Sequence, residues 1–206
     1  KMALGMNFDT SGTGRKFLPI VKFDAKSGDM MIVNREPQSD GTWEKSEIEL
    51  KFPVHAICDF ANIEIGWIGF VDNKFDYVMA KAGEKMPACP SAEHKQGIRL
   101  RMFFKEHGVR EFSHTSKNVL RVIDAIHTQA EGEAAANPGK MPVVTFTGTE
   151  TVKLQTKQGE LRFKVPAMEI AKWTDVPAEM KDATKAEPAK VISAAAKPVA
   201  ELDDDF

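Results

Sequence analysis

The segment 97–105, GIRLRMFFK, holds the residue types best suited to binding chemistry in this sequence. In a β-strand, successive side chains point to opposite faces of the sheet. Cations can contact the phosphates of a nucleic-acid strand, and an aromatic ring can stack on a base for about 1–3 kcal/mol, whatever the base. One face of this strand would carry Arg99, Arg101, Phe103 and Lys105. The pattern therefore indicates an interface for a single nucleic-acid strand.

A second interpretation of the same strand stays open. On a half-exposed sheet, outward arginines commonly pair with carboxylates of the next strand, and Phe103 would then belong to a second apolar layer. The opposite face is apolar and predicts the core side of the sheet; its residues are Ile98, Leu100, Met102 and Phe104.

Other segments repeat the combination of cations with rings. Alternation separates Arg162 and Lys164 from an apolar face in ELRFKV, and it does the same for Lys153 in TVKLQTK. Trp67 and Phe70 lie in GWIGF, whose glycines let a ligand or another backbone come close, although a core position is the alternative for Trp67. The predicted nucleic-acid-binding residues are Arg15, Lys16, Trp43, Trp67, Arg99, Arg101, Phe103, Lys105, Lys153, Arg162 and Lys164.

The overall charge does not by itself favour a polyanion. The chain carries a net charge of -2. Residues 177–206 hold four Lys against seven Asp and Glu, which leaves 24 of the 28 Lys and Arg and 23 of the 30 Asp and Glu in the body. Nucleic-acid binding must therefore depend on where the cations gather, because the body has almost no excess of them.

Catalytic signatures are missing from the sequence. It contains no P-loop, GxSxG, HExxH or paired CxxC motif. His55, Cys58, Cys89 and His94 supply the ligand types of a Cys2His2 zinc site, but the 30-residue gap matches no common zinc finger; buried cysteine and an edge histidine are the alternative, and the question stays open. We predict a protein without catalytic residues, without a metal ion and without a cofactor.

The remaining pattern predicts a mainly β domain. Short alternating segments are separated by turn residues such as Ser27-Gly28 and Asp72-Asn73. Apolar residues at helical spacing predict one α-helix at about 115–131, capped by Thr115 or Ser116 and ended by Gly132. We expect a small closed or half-closed barrel, such as an OB-fold with long loops, over residues 1–176.

Residues 177–206 differ from the body in composition. They are rich in Ala, Pro, Lys and Glu and cannot bury enough apolar surface to offset their ordering entropy. We predict a flexible linker that ends in an acidic protein-interaction tip. The tip residues are Asp203, Asp204, Asp205 and Phe206.

An OB-like body followed by such a linker and by DDDF resembles the single-stranded-DNA-binding proteins of bacteria and, in the direct succession of Asp and Phe, those of their phages. The resemblance implies sequence-independent single-stranded DNA binding during phage DNA replication, recombination and repair, with the tip recruiting replication and recombination proteins. The alternatives are a strand-annealing factor that also binds double-stranded DNA and a protein-binding β-module without DNA affinity.

The expected location follows from two further features. No run of 18 apolar residues occurs, and the N-terminal residues lack the apolar core of a signal peptide. We therefore expect no membrane partner and a cytoplasmic location, in the host cell if the protein is phage-encoded.

Overall fold

The computed structural model describes residues 19–37, 43–71, 74–156 and 159–183 of the chain. Within these ranges the chain forms ten strands, two helices and a short 3-10 turn at Phe60–Asn62. The strands are β1 (Ile20–Phe23), β2 (Met30–Pro37), β3 (Trp43–Leu50), β4 (Val54–Cys58), β5 (Glu64–Val71), β6 (Lys74–Lys81), β7 (Lys95–Phe104), β8 (Gly108–His114), β9 (Lys140–Thr156) and β10 (Gly159–Asp175). The helices are α1 (Lys117–Ala134) and α2 (Ala178–Ala183).

Strand β7 is the branch point of the sheet. The strand order is β10-β9-β4-β7-β8-β1-β2-β3, and the β5–β6 hairpin branches from β7. Residues 95–99 of β7 pair with β5, whereas residues 102 and 103 pair with β4. Along its other edge β7 pairs with β8 from residue 98 to residue 104. One strand therefore holds three neighbours in register.

The mainly β fold with one main helix is confirmed. The described strands are not closed into a barrel, however, because the sheet ends at β10 on one side and at β3 on the other. The nearest approach to closure is one backbone hydrogen bond, in which the amide of Lys164 on β10 donates to the carbonyl of Ala25 at 2.7 Å. Ala25 lies in the β1–β2 turn, where Gly28 adopts a φ of 90°. A turn docks against a strand where a barrel would pair two strands.

The core lies between one face of the sheet and α1. The even-numbered residues of β7 from Ile98 onward are buried, as predicted, and they join the central strands β4, β8 and β9 in one apolar cluster. Helix α1 contributes Val119, Ile123, Ile126 and Ala130 to this cluster. The alternation along β7 therefore sets which face of the sheet is core and which face can hold polar groups.

Helix α1 begins and ends later than predicted. Ser116 occupies the N-cap position, but its side chain makes no capping hydrogen bond. The helix continues past Gly132 to Ala134, and two side chains hold this last turn: Asn137 donates to the carbonyl of Glu133, and Trp173 of β10 donates to the Glu133 carboxylate at 2.9 Å. Tertiary contacts outweigh the helix-ending tendency of the glycine.

Strands β9 and β10 form the longest hairpin, with 17 residues each. Strand β4 pairs with β9 only at residues 143–146, so residues 148–156 and 159–167 pair only with each other among the described strands. We call this two-stranded part the arm. Pro166 fits it because β10 is an edge strand, where a missing amide donor is tolerated.

The chain after residue 176 still packs on the body for a short distance. Helix α2 contacts β8, and its Met180 is buried. The predicted domain boundary at residue 176 stays a prediction, and the predicted acidic tip lies outside the described residues. None of the helices in the described ranges is both long enough and apolar enough to cross a membrane.

Candidate nucleic-acid interface

Arg99, Arg101 and Phe103 lie on one face of β7, as the alternation predicted. Phe103 is half-buried and pairs in register with Ile57 of β4 and Val109 of β8. The three side chains are thus brought together on the face opposite the core.

Both arginines of this face are held by carboxylates. Arg99 Nη2 lies 2.6 Å from Glu111 Oε2, and its Nη1 lies 3.2 Å from Glu64 Oε2. Burial disfavours the charge of Arg99, but its hydrogen bond to Glu111 and the charge of that carboxylate outweigh burial and raise the pKa of Arg99. The guanidinium also lies over the ring of Tyr77, 5.1 Å from its centroid. Arg99 is therefore a fixed, paired cation.

Arg101 belongs to a second polar network. Its Nη2 donates to Asp59 Oδ2 at 2.6 Å, and Asp59 is only 1% exposed. Asn62 donates from Nδ2 to both oxygens of the same carboxylate. The amide of Asp59 donates to the carbonyl of Arg101 at 3.0 Å, so side chains and backbone join the same two residues. A buried carboxylate with these partners needs the arginine as its counter-charge.

This face of β7 thus has the arrangement of the second interpretation, in which arginines pair with neighbouring carboxylates. Each of these guanidinium groups is already paired with a largely buried carboxylate, so neither is an unpaired cation for a phosphate. The assignment of these two arginines to phosphate contacts stays a prediction, and the described geometry favours a structural role for both.

The other predicted residues are dispersed. Trp67 lies on the opposite face of the sheet from Arg99, because Arg99 pairs with Glu64 and Trp67 is three residues after Glu64 on β5. The Nε1 of Trp67 donates to the carbonyl of Pro87 at 2.8 Å. Lys105 is exposed in the turn after β7. Trp43 begins β3, and its side chain lies outside the described part of the chain, as do Arg15 and Lys16 entirely.

The four residues of the zinc hypothesis have separate environments. Cys58 is buried in the core, whereas Cys89 is exposed. His55 shares a hydrogen bond with Thr145, and His94 lies between Ser91 and Asp76. In the described ranges no group of three or more His, Cys, Asp and Glu side chains could hold a metal ion.

The arm brings the three remaining predicted cations together. Arg162 pairs in register with Lys153, and Lys164 pairs with Thr151, so all four side chains lie on one face of the arm. Glu160 offers a carboxylate to both Arg162, at 2.7 Å, and Lys153, at 3.8 Å. One carboxylate thus serves two cations, and Lys164 donates instead to the hydroxyl of Thr151 at 2.9 Å.

A fourth cation comes from the β1–β2 turn. Gly28 lies so close to the arm that a Cβ there would be 3.2 Å from Lys164 Cγ. Where turn and arm meet, a hollow of about 220 Å³ is lined by Lys26, Thr151, Arg162, Phe163 and Lys164. In the described residues neither Lys26 nor Lys164 has a carboxylate within 4.0 Å. The hollow is therefore rich in positive charge.

One carboxylate of this turn, that of Asp24, is bonded to the turn itself. Asp24 accepts a hydrogen bond from the amide of Lys26 at 2.8 Å, and this bond is the main reason why the pKa of Asp24 is lowered. Asp24 Oδ2 also lies 4.0 Å from Lys22 Nζ. The Asp24 carboxylate thus stabilises the turn that presents Lys26.

Sequence reasoning named Phe70 beside Trp67 but missed Phe75 and Tyr77, which form an aromatic group with Phe70 on the β5–β6 hairpin. Phe70 and Phe75 are 56% and 59% exposed, and their ring centroids are 5.2 Å apart in an edge-on arrangement. Tyr77 follows on the same face of β6, with its ring 6.1 Å from that of Phe75. The sequence signal was two phenylalanines flanking the predicted Asp72-Asn73 turn, which indicated a hairpin but not that its rings face solvent.

The cations and rings lie on two parts of the molecule, the arm with the β1–β2 turn and the β5–β6 hairpin. No protein-family model, curated protein or solved structure matches this chain. The resemblance to single-stranded-DNA-binding proteins therefore stays a prediction.

The structural role of Arg101 can be tested by replacing it with Met. We expect a loss of about 3 kcal/mol in the free energy of unfolding, because the buried Asp59 carboxylate is left without its cation. The measurement is denaturant unfolding. Arg162→Met, at an exposed position of the arm, should leave stability within about 0.5 kcal/mol of the original protein. Full stability of Arg101→Met would contradict the structural assignment, and partial recovery in the Asp59→Asn/Arg101→Met double variant would support it.

The two cysteines should differ in reactivity. Burial raises the pKa of the Cys58 thiol and shields it, whereas Cys89 is exposed. With an aromatic disulfide reagent, the native protein should release about one equivalent rapidly and the second only after denaturation. Cys89→Ser should abolish the rapid phase. Two equally fast thiols, or protection of both by added zinc, would contradict this assignment.

Proposed function

We propose that this protein binds single-stranded DNA without sequence preference. The cationic face of the arm and the adjoining hollow would contact phosphates, and the exposed rings of the β5–β6 hairpin would contact bases. Sequence-independent binders combine these two elements: positive charge that follows the backbone and aromatic rings on which bases stack. In the predicted role the protein coats exposed single strands during phage replication, recombination and repair.

The observation that carries the proposal is the hollow between the β1–β2 turn and the arm. Three cationic side chains converge there, and the one nearby carboxylate on the arm, Glu160, is already shared by two cations. Like charges at short range repel one another, and a bound anion would relieve that repulsion. A phosphodiester oxygen meets this requirement and also accepts hydrogen bonds from Lys and Arg.

The exposed rings favour a single strand over a duplex. Phe70 and Phe75 offer apolar faces to solvent, which is costly unless a partner covers them. Bases of a single strand are free to stack on such rings, whereas bases inside a duplex are already stacked on one another. Duplex binding by a strand-annealing factor, and a β-module without DNA affinity, remain the two alternative outcomes.

The acidic residues Asp203 to Asp205 with Phe206 complete the proposal. Acidic groups beside a large hydrophobe suit a partner pocket that is apolar and rimmed by Arg or Lys. In the proposed role they recruit replication and recombination proteins to the coated strand.

The phosphate role of the hollow can be tested with the Lys26→Ala/Lys164→Ala double variant. Each phosphate that is no longer neutralised should reduce the slope of log affinity against log salt by about 0.7, so the double variant should show a slope smaller by about 1.4. The measurement is fluorescence anisotropy of labelled oligo-dT at several salt concentrations. Lys172→Ala is a matched control, because Lys172 is an exposed lysine eight residues further along the same strand.

Three outcomes of this experiment would count against the proposal or redirect it. An unchanged slope in the double variant would show that the hollow does not contact phosphates of the DNA. Equal affinity of the original protein for a duplex of the same length would favour the annealing factor. Absence of binding to either DNA at low salt would favour the protein-binding β-module without DNA affinity.

Removing residues 201–206 should raise the affinity for oligo-dT, most strongly at low salt. The segment carries four of the acidic side chains and would compete with phosphates for the cationic surface. Anisotropy titrations of both forms at two salt concentrations measure the effect. Equal affinities at low salt would show that the acidic residues do not reach that surface.

A further inference from the structure

An open apolar groove lies between helix α1 and strand β10. Helix α1 packs mainly against β10, and β10 is the last strand on its side of the described sheet. One flank of the helix therefore has no further described strand beside it. The groove has a volume of about 330 Å³, and it is lined by Arg121, Val122, Ala125, Ile126, Gln129 and Met168.

The floor of the groove is continuous with the hydrophobic core. Ile126 belongs to the buried stripe of α1 and is only 6% exposed. Val122 and Met168 are half-buried and pack against the core cluster. Ala125 is exposed and lies about 100° around the helix axis from Ile126. An apolar surface that extends in this way from the core to solvent suits an apolar side chain of another segment.

The two ends of the groove differ in charge. Arg121 is exposed at the end nearer the start of α1, and no carboxylate of the described residues lies within 4.0 Å of its guanidinium. At the other end Gln129 donates to the Glu133 carboxylate at 2.8 Å, and Trp173 donates to the same carboxylate. The negative end is thus satisfied by two donors. A ligand with acidic groups beside an apolar side chain therefore fits with its acids at Arg121.

The chain itself contains a segment of this chemistry. Residues 203–206 are three aspartates followed by a phenylalanine. Helix α2 ends at Ala183 and contacts β8, the strand that precedes α1 in the chain. The 19 residues 184–202 can span at most about 65 Å, whereas α1, with 18 residues, is about 27 Å long. The length of the chain therefore allows the acidic tip to reach the groove of the same molecule.

We propose that the acidic tip, residues 203–206, docks in this groove of its own chain. In the docked state the ring of Phe206 covers Val122 and Ile126, and the aspartates lie near Arg121. The volume of the groove is at the lower end of the range for ligand pockets, about 300–1,000 Å³, and suits one aromatic side chain. Docking competes with the binding of a partner protein to the tip, so the apparent affinity for that partner falls with the fraction of free tips. The inference adds a resting site for the tip and does not depend on DNA binding.

Methyl NMR of the full chain tests the docking in the absence of DNA. The ring current of a docked phenyl group shifts the methyl resonances close to it. The methyl groups of Ile126 and Met168 should therefore have different chemical shifts in the original protein and in the Phe206→Ala variant. The methyl groups of Ile48, an exposed residue of β3, are the control and should have the same shifts in both. The difference should not depend on protein concentration, because the tip docks within one chain.

The charge at the rim is tested by repeating this comparison in the Arg121→Glu background. Replacing attraction by repulsion should make docking roughly 5-fold weaker, so the effect of Phe206→Ala on the two methyl resonances should shrink. Reversing two charges of the tip as well, with Asp203→Lys and Asp205→Lys, should restore the effect. Lys172→Glu is the matched control, because Lys172 is exposed on the face of β10 opposite to Met168.

The docking and the proposed function can fail separately. Identical Ile126 and Met168 resonances with and without the Phe206 ring would overturn the docking and leave DNA binding standing. A difference that grows with protein concentration would place the tip in a second copy of the chain and would also overturn docking within one molecule. Failure to bind oligo-dT at low salt would overturn the proposed function alone.

Discussion

The register of strand β7 is the constraint on which the rest of the structure depends. Its even-numbered side chains from Ile98 onward fill the core, and its odd-numbered side chains include two arginines that must be neutralised because they are mostly buried. A shift of one residue would place Arg99 and Arg101 in the core and expose Leu100 and Met102. The ion pairs with Glu111 and Asp59 therefore stabilise this register of β7 relative to one that is shifted by a residue.

This constraint also decides what the surface can do. Because Arg99 and Arg101 are committed to carboxylates, this face of β7 has no unpaired arginine for a ligand. Among the described residues, no carboxylate lies within 4.0 Å of Lys26 on the β1–β2 turn, of Lys164 on the arm or of Lys95 at the start of β7. The rings are found on the β5–β6 hairpin. Binding groups thus lie on extensions whose sequence is not dictated by the core.

Much of the fold followed from local patterns in the sequence. Alternation predicted both faces of β7, helical spacing predicted α1, and Ser27-Gly28 predicted the first hairpin. The branching of β7 and the open sheet could not be predicted, because they depend on pairings between distant segments. Gly132 did not end α1 because Trp173, 40 residues beyond its partner Glu133, holds the last turn.

The candidate site was less predictable for the same reason. Local alternation placed Arg162 and Lys164 on one face, but nothing local indicated that Lys26 lies beside them. The partner of Arg101 is Asp59, 42 residues earlier, and no period in the sequence connects the two. The glycines of GWIGF indicated that a ligand can come close to Phe70, but Phe75 looked like an ordinary strand residue. The exposure of both rings depends on how far the hairpin extends beyond its neighbours.

Val165 anchors the base of the arm in the core, but the arm beyond it is joined to the remainder by few bonds: its strands pair with each other, and a single described backbone hydrogen bond, from Lys164 to Ala25, ties it to the β1–β2 turn. Its amides belong to the part of a structure that opens most easily, where exchange with solvent deuterium does not require global unfolding. The body would stay folded while the hydrogen bonds of the arm open. Evolution could therefore lengthen, shorten or recharge the arm at little cost to the core.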